Sequence, residues 1–142
     1  MVAKLSAGTF YGQTQKRWEV AGITFVESVY TAQSRLHIPL HTHENAFLYF
    51  VIEGFCEEVY GRKSRTVCPS TLVLHPAGNP HSNRWHDAGG RALHIDIAPA
   101  RAETIREYVP IQSGPAEFRN GLAPWLSGRL YSECQRQDPV SC

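Results

Sequence analysis

From the first residues to about residue 98, apolar and polar positions come in short blocks, and turn residues separate one block from the next. The separators are GTFYG, AGI, EG, GRKS, CPS, PAGNP and DAGG, and the runs between them are rich in Val, Ile, Phe, Tyr and Thr. That pattern predicts many short strands rather than alternating strands and helices. Strands are expected at residues 23–31, 36–41, 47–53, 56–61, 64–68, 71–75, 82–85 and 91–98. Antiparallel strands this short must hide their edges, which closure into a small barrel or a two-sheet jelly roll achieves. After Pro99 the period changes. Ala102, Ile105 and Tyr108 share one helical face, and Leu122, Trp125, Leu126, Leu130 and Tyr131 recur at helical spacing. The reading is therefore a mainly β barrel over residues 1–100 and a helical tail over residues 101–142. Near the end, Asp138 followed by Pro139 has the form of a helix N-cap and first residue. A helix is thus expected to start where the chain stops, and the chain is expected to be part of a longer protein.

Composition narrows the function. With 142 residues, 42% apolar and 11% aromatic, the chain suits one packed domain and not a disordered tail. Fourteen Lys and Arg against thirteen Asp and Glu leave a net charge of +1, without the concentrated positive charge that phosphate recognition needs. These residues are not expected to bind DNA themselves. No apolar run is long enough for a signal-peptide core or a membrane span, so no membrane partner and a cytoplasmic location are expected. The four cysteines, Cys56, Cys68, Cys134 and Cys142, fit no tight metal spacing. Cys56 and Cys68 flank the GRKS turn at equal distance and could face one another, but free thiols are expected in a reducing compartment.

All seven histidines fall between His37 and His94. His41 and His43 stand at i and i+2 in PLHTHENAF, so on a strand they point to one side. His81 closes HPAGNPH, where the turn through Pro76, Gly78 and Pro80 can return an imidazole to that pair. Three imidazoles with open positions would suit Zn, Ni, Fe or Mn. The alternative is a metal-free pocket in which the same rings hydrogen-bond each other, the backbone or a ligand.

These segments resemble the cupin superfamily. HTHENAFLYFVIEG matches its first motif from His41 to Gly54, and Pro76, Gly78 and His81 match its second. The departures concern chemistry: the acidic ligand position holds Phe47, Glu44 has the wrong parity to replace it, Ser70 stands for a Gly, and Trp85 stands for an Asn while Asn83 lies two residues earlier. A longer stretch, FLYFVIEGFCEEVYGRKSRTVCPSTLVLHPAGNPHSNRWHDAGGRALHIDI with the tail RLYSECQRQDPVSC, is similar to the N-terminal effector domain and linker of AraC-family transcription regulators. That resemblance implies a small-molecule sensor and dimerisation module, a homodimer that reaches DNA only through a C-terminal helix-turn-helix domain outside these residues.

Parity carried from the matched motifs turns Phe47, Tyr49 and Val51 inward beside His41 and His43. The ligand-binding candidates are His41, His43, Phe47, Tyr49, His75, His81, Asn83 and Trp85. Phe47, Tyr49 and Trp85 also suit plain core filling, and His75 before Pro76 suits a hydrogen-bonded structural role. His94 and Asp96 share a face, and His37 and His86 read as surface residues. Any pocket histidine buried without a partner charge should stay neutral and keep an acceptor nitrogen. There is no Gly-x-Ser-x-Gly elbow, no phosphate-cradling loop and no Cys-His pair in context. The chain is therefore expected not to be an enzyme. The alternative is a metal-dependent cupin enzyme of dioxygenase or isomerase type, against which the loss of the acidic ligand at Phe47 weighs.

Overall fold

A computed structural model describes residues 2–108 and 116–136 of the chain. In chain order the strands are β1 (Ala3–Leu5), β2 (Gln13–Val20), β3 (Ile23–Tyr30), β4 (His37–His43), β5 (Ala46–Glu53), β6 (Cys56–Tyr60), β7 (Lys63–Val67), β8 (Leu72–His75), β9 (His81–Trp85) and β10 (Gly90–Ile97). Helix α1 (Pro99–Tyr108), strand β11 (Ala116–Phe118) and helix α2 (Leu122–Arg136) follow. The strands form two sheets, in the orders β1-β4-β9-β6-β7 and β11-β8-β5-β10-β3-β2, and every pairing is antiparallel except that of β1 with β4. This is the expected jelly roll followed by C-terminal helices.

Strand β5 shows why the sheets pack as they do. Its run FLYFVI is apolar at every position, the mark of a strand covered on both faces. Phe47, Tyr49 and Val51 join Tyr30, Ile38, Cys56, Val67, Val73, Trp85 and Ala92 in a core drawn from both sheets. Phe50, with Leu48 and Ile52, faces the other way and meets Trp18, Phe25, Leu72, Leu93 and Ile95, where Ala123 and Tyr131 of α2 cover the second sheet. Buried Glu27 ties α2 down, accepting hydrogen bonds from Tyr131 Oη at 3.1 Å and Gln135 Nε2 at 2.9 Å, and pairing with Arg91. On the far side of α2, Leu122, Trp125, Leu126 and Leu130 stay exposed.

The structure adds strands that alternation does not reveal. β2 reads QTQKRWEV and buries only Trp18, so its strand conformation comes from pairing with β3 rather than from its own pattern. β1 and β11 are three residues each. β4 runs two residues past its expected end and includes His43. Across the GRKS hairpin Cys56 faces Val67, not Cys68; both are free thiols, Cys56 buried and Cys68 exposed. The side chains of Ile105 and Tyr108 and the Asp138–Pro139 helix start lie outside the described residues.

Two glycines lock the end of the barrel. Gly54, at φ 75°, closes the β5–β6 turn, and a Cβ there would overlap the carbonyl oxygen of Gly89. Gly89, at φ 73°, is in turn pressed against the carbonyl of Tyr30. Gly61 has a similar φ of 58° but open space around it. Gly54→Ala is therefore expected to lower unfolding free energy by about 2–4 kcal/mol, and Gly61→Ala by about 1–2 kcal/mol. Urea denaturation of both variants checks this, and equal losses would show that the close approach carries no weight.

Candidate metal and ligand site

Strand register brings the motif histidines together. His41 lies directly opposite His81 across β4 and β9, and His43 follows on the same side of β4. A register shift between Ile38 and His41, at Pro39 and Leu40, lets both Ile38 and His41 face inward despite their odd separation. The turn before β9 is tied to β4 by the Gly78 N–H, which donates to the His43 carbonyl at 2.9 Å. As a result the ligating atoms of His41, His43 and His81 all lie within 4.8 Å of one another, and the three residues are buried.

Hydrogen bonds set the tautomers. Nδ1 of His41 is 2.7 Å from the Pro39 carbonyl and Nδ1 of His81 is 3.0 Å from the Asn79 carbonyl. A carbonyl only accepts, so both Nδ1 atoms carry hydrogen and both Nε2 atoms present lone pairs. His43 Nε2 stands 3.1 Å from His41 Nε2. If it donates there, its Nδ1 is a buried lone pair without a partner among the described residues; in the other tautomer two lone pairs meet. A cation among the Nε2 atoms relieves the second conflict. Burial, reinforced by the neighbouring imidazoles, pushes the pKa of His43 down to about 2 and that of His81 to about 3, and burial also lowers His41. At neutral pH the cluster is uncharged with free lone pairs. Its donor set fits a divalent metal, and the three imidazoles leave further coordination positions open.

Phe47 occupies the acidic position of the motif. Its ring lies 4.3 Å from that of His43 and it is 2% exposed, so no carboxylate completes the set from β5. A fully buried acid lies on another strand. Glu58 of β6 has no exposure, and its carboxylate accepts from Tyr49 Oη at 2.5 Å, Arg65 Nε at 2.9 Å and Nη2 at 2.7 Å, and Asn83 Nδ2 at 3.2 Å. His75 Nε2 lies 3.0 Å away. Burial alone would raise the Glu58 pKa, but the hydrogen bond and charge of His75 and the Arg65 guanidinium outweigh it and hold the carboxyl well below its ordinary range. The same carboxylate, added to burial, pushes Tyr49 well above the usual phenol range and Cys56 up to about 12, so both keep their protons.

His75, a candidate ligand-binding residue from the sequence, takes a different role. Its Nδ1 bonds Asn79 Oδ1 at 3.1 Å and its Nε2 bonds Glu58, so both nitrogens are engaged, and its ring backs that of His81 at 4.0 Å without lining the cavity. The other candidates meet at one cavity of about 30 Å³: His41, His43, Phe47, Tyr49, His81, Asn83 and Trp85 all line it. Phe10, Tyr11, Tyr30, Ile38, Cys56 and His94 complete the wall. Sequence reading missed these six and Glu58. Alternation from Cys56 could have flagged Glu58, since both fall on the inner side of β6. Nothing local marks Phe10 or Tyr11. They arrive because the Gly8 N–H donates to buried Asp96 at 2.7 Å and the Ala7 N–H to Glu44 at 3.1 Å, which holds the segment over the barrel. His94 and Asp96 share the inner face of β10 but do not pair: His94 bonds Tyr30, and Asp96 holds Gly8 and Asn45. His37 and His86 are exposed.

Comparison with known proteins places the fold. No family model matches the chain. The AraC-like transcriptional activator CuxR superposes with a TM-score of 0.59 at 12% identity, over 84% of this chain and 44% of its own. A cupin superfamily protein from Desulfitobacterium hafniense gives 0.52 at 10% identity, over 60% of this chain and 75% of its own. The protein has the cupin fold. In sequence, 59 residues, or 41% of the chain, are 36% identical to the dimethylsulfoniopropionate lyase DddQ of Ruegeria pomeroyi. The chain matches 29% of that protein's length. This match overturns the expectation that the chain is not an enzyme, which rested on the missing acidic ligand and the lack of a nucleophile motif. Among the described residues no helix is long and apolar enough to cross a membrane.

Two outcomes follow. The buried histidines His41, His43, His81 and His94 have native pKa values below the ordinary 6.5, so below that pH the unfolded chain binds protons the native state does not. Stability should be full above pH 6.5 and fall progressively towards pH 3, and Glu58, ordinarily 4.5, adds its own loss only below that value. Thermal melts of metal-free protein across pH 8 to 4 measure this, and a flat midpoint from pH 7 to 5 would contradict it. Glu58→Leu strands Arg65 and His75 inside the barrel and is expected to cost about 3–5 kcal/mol in urea unfolding.

Proposed function

We propose that the protein is a metal-dependent cupin enzyme of the lyase type, acting on a small carboxylate that carries a sulfonium group, as dimethylsulfoniopropionate does. The observation that carries the reading is the trio of neutral imidazoles, with ligating atoms inside 4.8 Å, at an aromatic-walled cavity; the stretch shared with the lyase supports the reaction type. His41, His43 and His81 would hold a divalent metal, Zn, Ni, Fe or Mn, which when bound supplies a Lewis acid for a substrate oxygen. The chain's own residues do the rest. Aromatic residues in the lining, Phe47 and Trp85 among them, suit a cationic sulfonium. Glu58 fixes Tyr49 and Asn83 in the wall. A cavity of about 30 Å³ is too small for such a substrate, so Phe10 and Tyr11, which are half-buried, have to turn outward. Gly8 and Gly12, at φ 69° and 68°, bracket them.

A second reading places the same site in a regulator, as a ligand-sensing, dimerising domain that reaches DNA through another domain. The exposed apolar face of α2, with Leu122 69% and Trp125 60% exposed, favours a module that packs on a second copy.

Protein loaded separately with each of the four metals and incubated with dimethylsulfoniopropionate is expected to release dimethyl sulfide, read by gas chromatography. The carbon beside the carboxylate releases a proton to the medium, its C–H electron pair forms the carbon–carbon double bond of acrylate, and the carbon–sulfur pair leaves with dimethyl sulfide. His81→Ala should lose bound metal and reduce release roughly a hundredfold or more. Metal binding and dimerisation without release under any metal would favour the regulator, and protein that takes up no metal would overturn the lyase reading.

A further inference from the structure

His94, like His75, is a buried histidine outside the three-residue cluster, but unlike His75 it keeps one ring nitrogen without a partner among the described residues. It stands on β10, in the sheet opposite His41, His43 and His81, is 6% exposed, and lines the same cavity. Its Nε2 lies 3.0 Å from Tyr30 Oη, and its Nδ1 has no partner among the described residues. The hydrogen count of this pair is decisive. Tyr30 and neutral His94 bring two polar hydrogens, and one bond between them uses only one. If Tyr30 donates to Nε2, the ring hydrogen sits on Nδ1 without an acceptor. If Nε2–H donates to Tyr30, the phenol hydrogen has none. Either way a donor stays unmatched in the interior, at a penalty of about 1–3 kcal/mol. A leucine or phenylalanine would fill the space without that penalty, so packing does not explain a histidine at this position.

We propose that His94 and Tyr30 form a subsite that accepts a carboxylate oxygen of the ligand. The inference rests on the small-carboxylate reading above and deepens it, because it assigns the carboxylate end of the substrate to residues outside the cupin motifs. Phe10 lies between this subsite and the cluster, its ring stacked on His94 at 4.2 Å and 5.0 Å from His43, and the outward turn that admits a substrate opens the space between them. A carboxylate held here is therefore close to the imidazole cluster, and a cation on that cluster offsets the charge it brings into a low-dielectric interior. Of the buried carboxylates near the cavity, Glu58 is held by Arg65, which Glu117 also engages, and Asp96, two residues along β10, is held by Gly8 and Asn45. Nδ1 or the phenol offers one hydrogen, and the anion supplies lone pairs that a thioether or an alkyl group lacks.

Imidazole nitrogen NMR on the full chain, metal-free and zinc-loaded, titrated with sodium acetate, tests this. Acetate is expected to shift the His94 Nδ1 resonance saturably and to bind roughly tenfold more weakly to Tyr30→Phe. His94→Leu should abolish saturable binding, His94→Gln should restore part of it, and both should keep the zinc content of the parent. If His94→Leu does not fold, the His94→Gln and Tyr30→Phe titrations decide. The subsite is overturned if acetate leaves His94 unshifted, or if His94→Leu or Tyr30→Phe binds acetate as tightly as the parent. Acetate bound at His94 without cleavage of dimethylsulfoniopropionate sinks the lyase reading and keeps the subsite. Cleavage with an unchanged KM in His94→Leu keeps the lyase and sinks the subsite.

Discussion

A carboxylate with no solvent contact, that of Glu58, is the constraint on which the interior depends. Tyr49 and His75 reach it from one sheet, and Arg65 and Asn83 from the other. A buried anion of this kind contributes little net stability, but each of its partners is penalised if the others move. The two sheets are thereby held in one relative position. His75, pinned by the same carboxylate, supports the rings of His81 and Phe47 at 4.0 and 5.1 Å. The site is built on that support.

Charge is divided sharply across this interior. Glu58 keeps its negative charge because Arg65 and His75 stabilise it, while burial strips the cluster histidines and His94 of theirs. The carboxylate favours charged His41 and His81, yet burial outweighs it. With Phe47 in the acidic position, the cluster brings no negative charge of its own. A divalent cation there would retain its full charge, and an anionic ligand is the complement such a site selects. Enzyme and sensor readings use the same cavity and differ in whether a bond in the ligand breaks.

As the loss of a ligand, the departure at Phe47 argues against catalysis. Its structural effect is different. The ring fills the space behind His43 and lies against His81 at 5.7 Å, so the three imidazoles are held by aromatic packing instead of by a fourth donor. Without the acidic ligand, three imidazoles that could hold a metal still converge.

Sequence alone determined whatever depends on near neighbours. The i, i+2 pair His41 and His43, the turn that returns His81, the glycine at position 54 and the doubly apolar β5 all follow from spacing and backbone preference, which act over a few residues. The register shift at Pro39 and Leu40, which turns Ile38 and His41 to one side, required the pairing with β9. Glu58 became the centre of the core because Arg65 and Asn83 flank it on adjoining strands, and His75 left the ligand wall because that carboxylate claimed it. Phe10, Tyr11, Tyr30 and His94 entered the site from positions 64 residues apart for the last two. Burial and pairing between distant segments decide such roles, and those exist only once the sheets have closed.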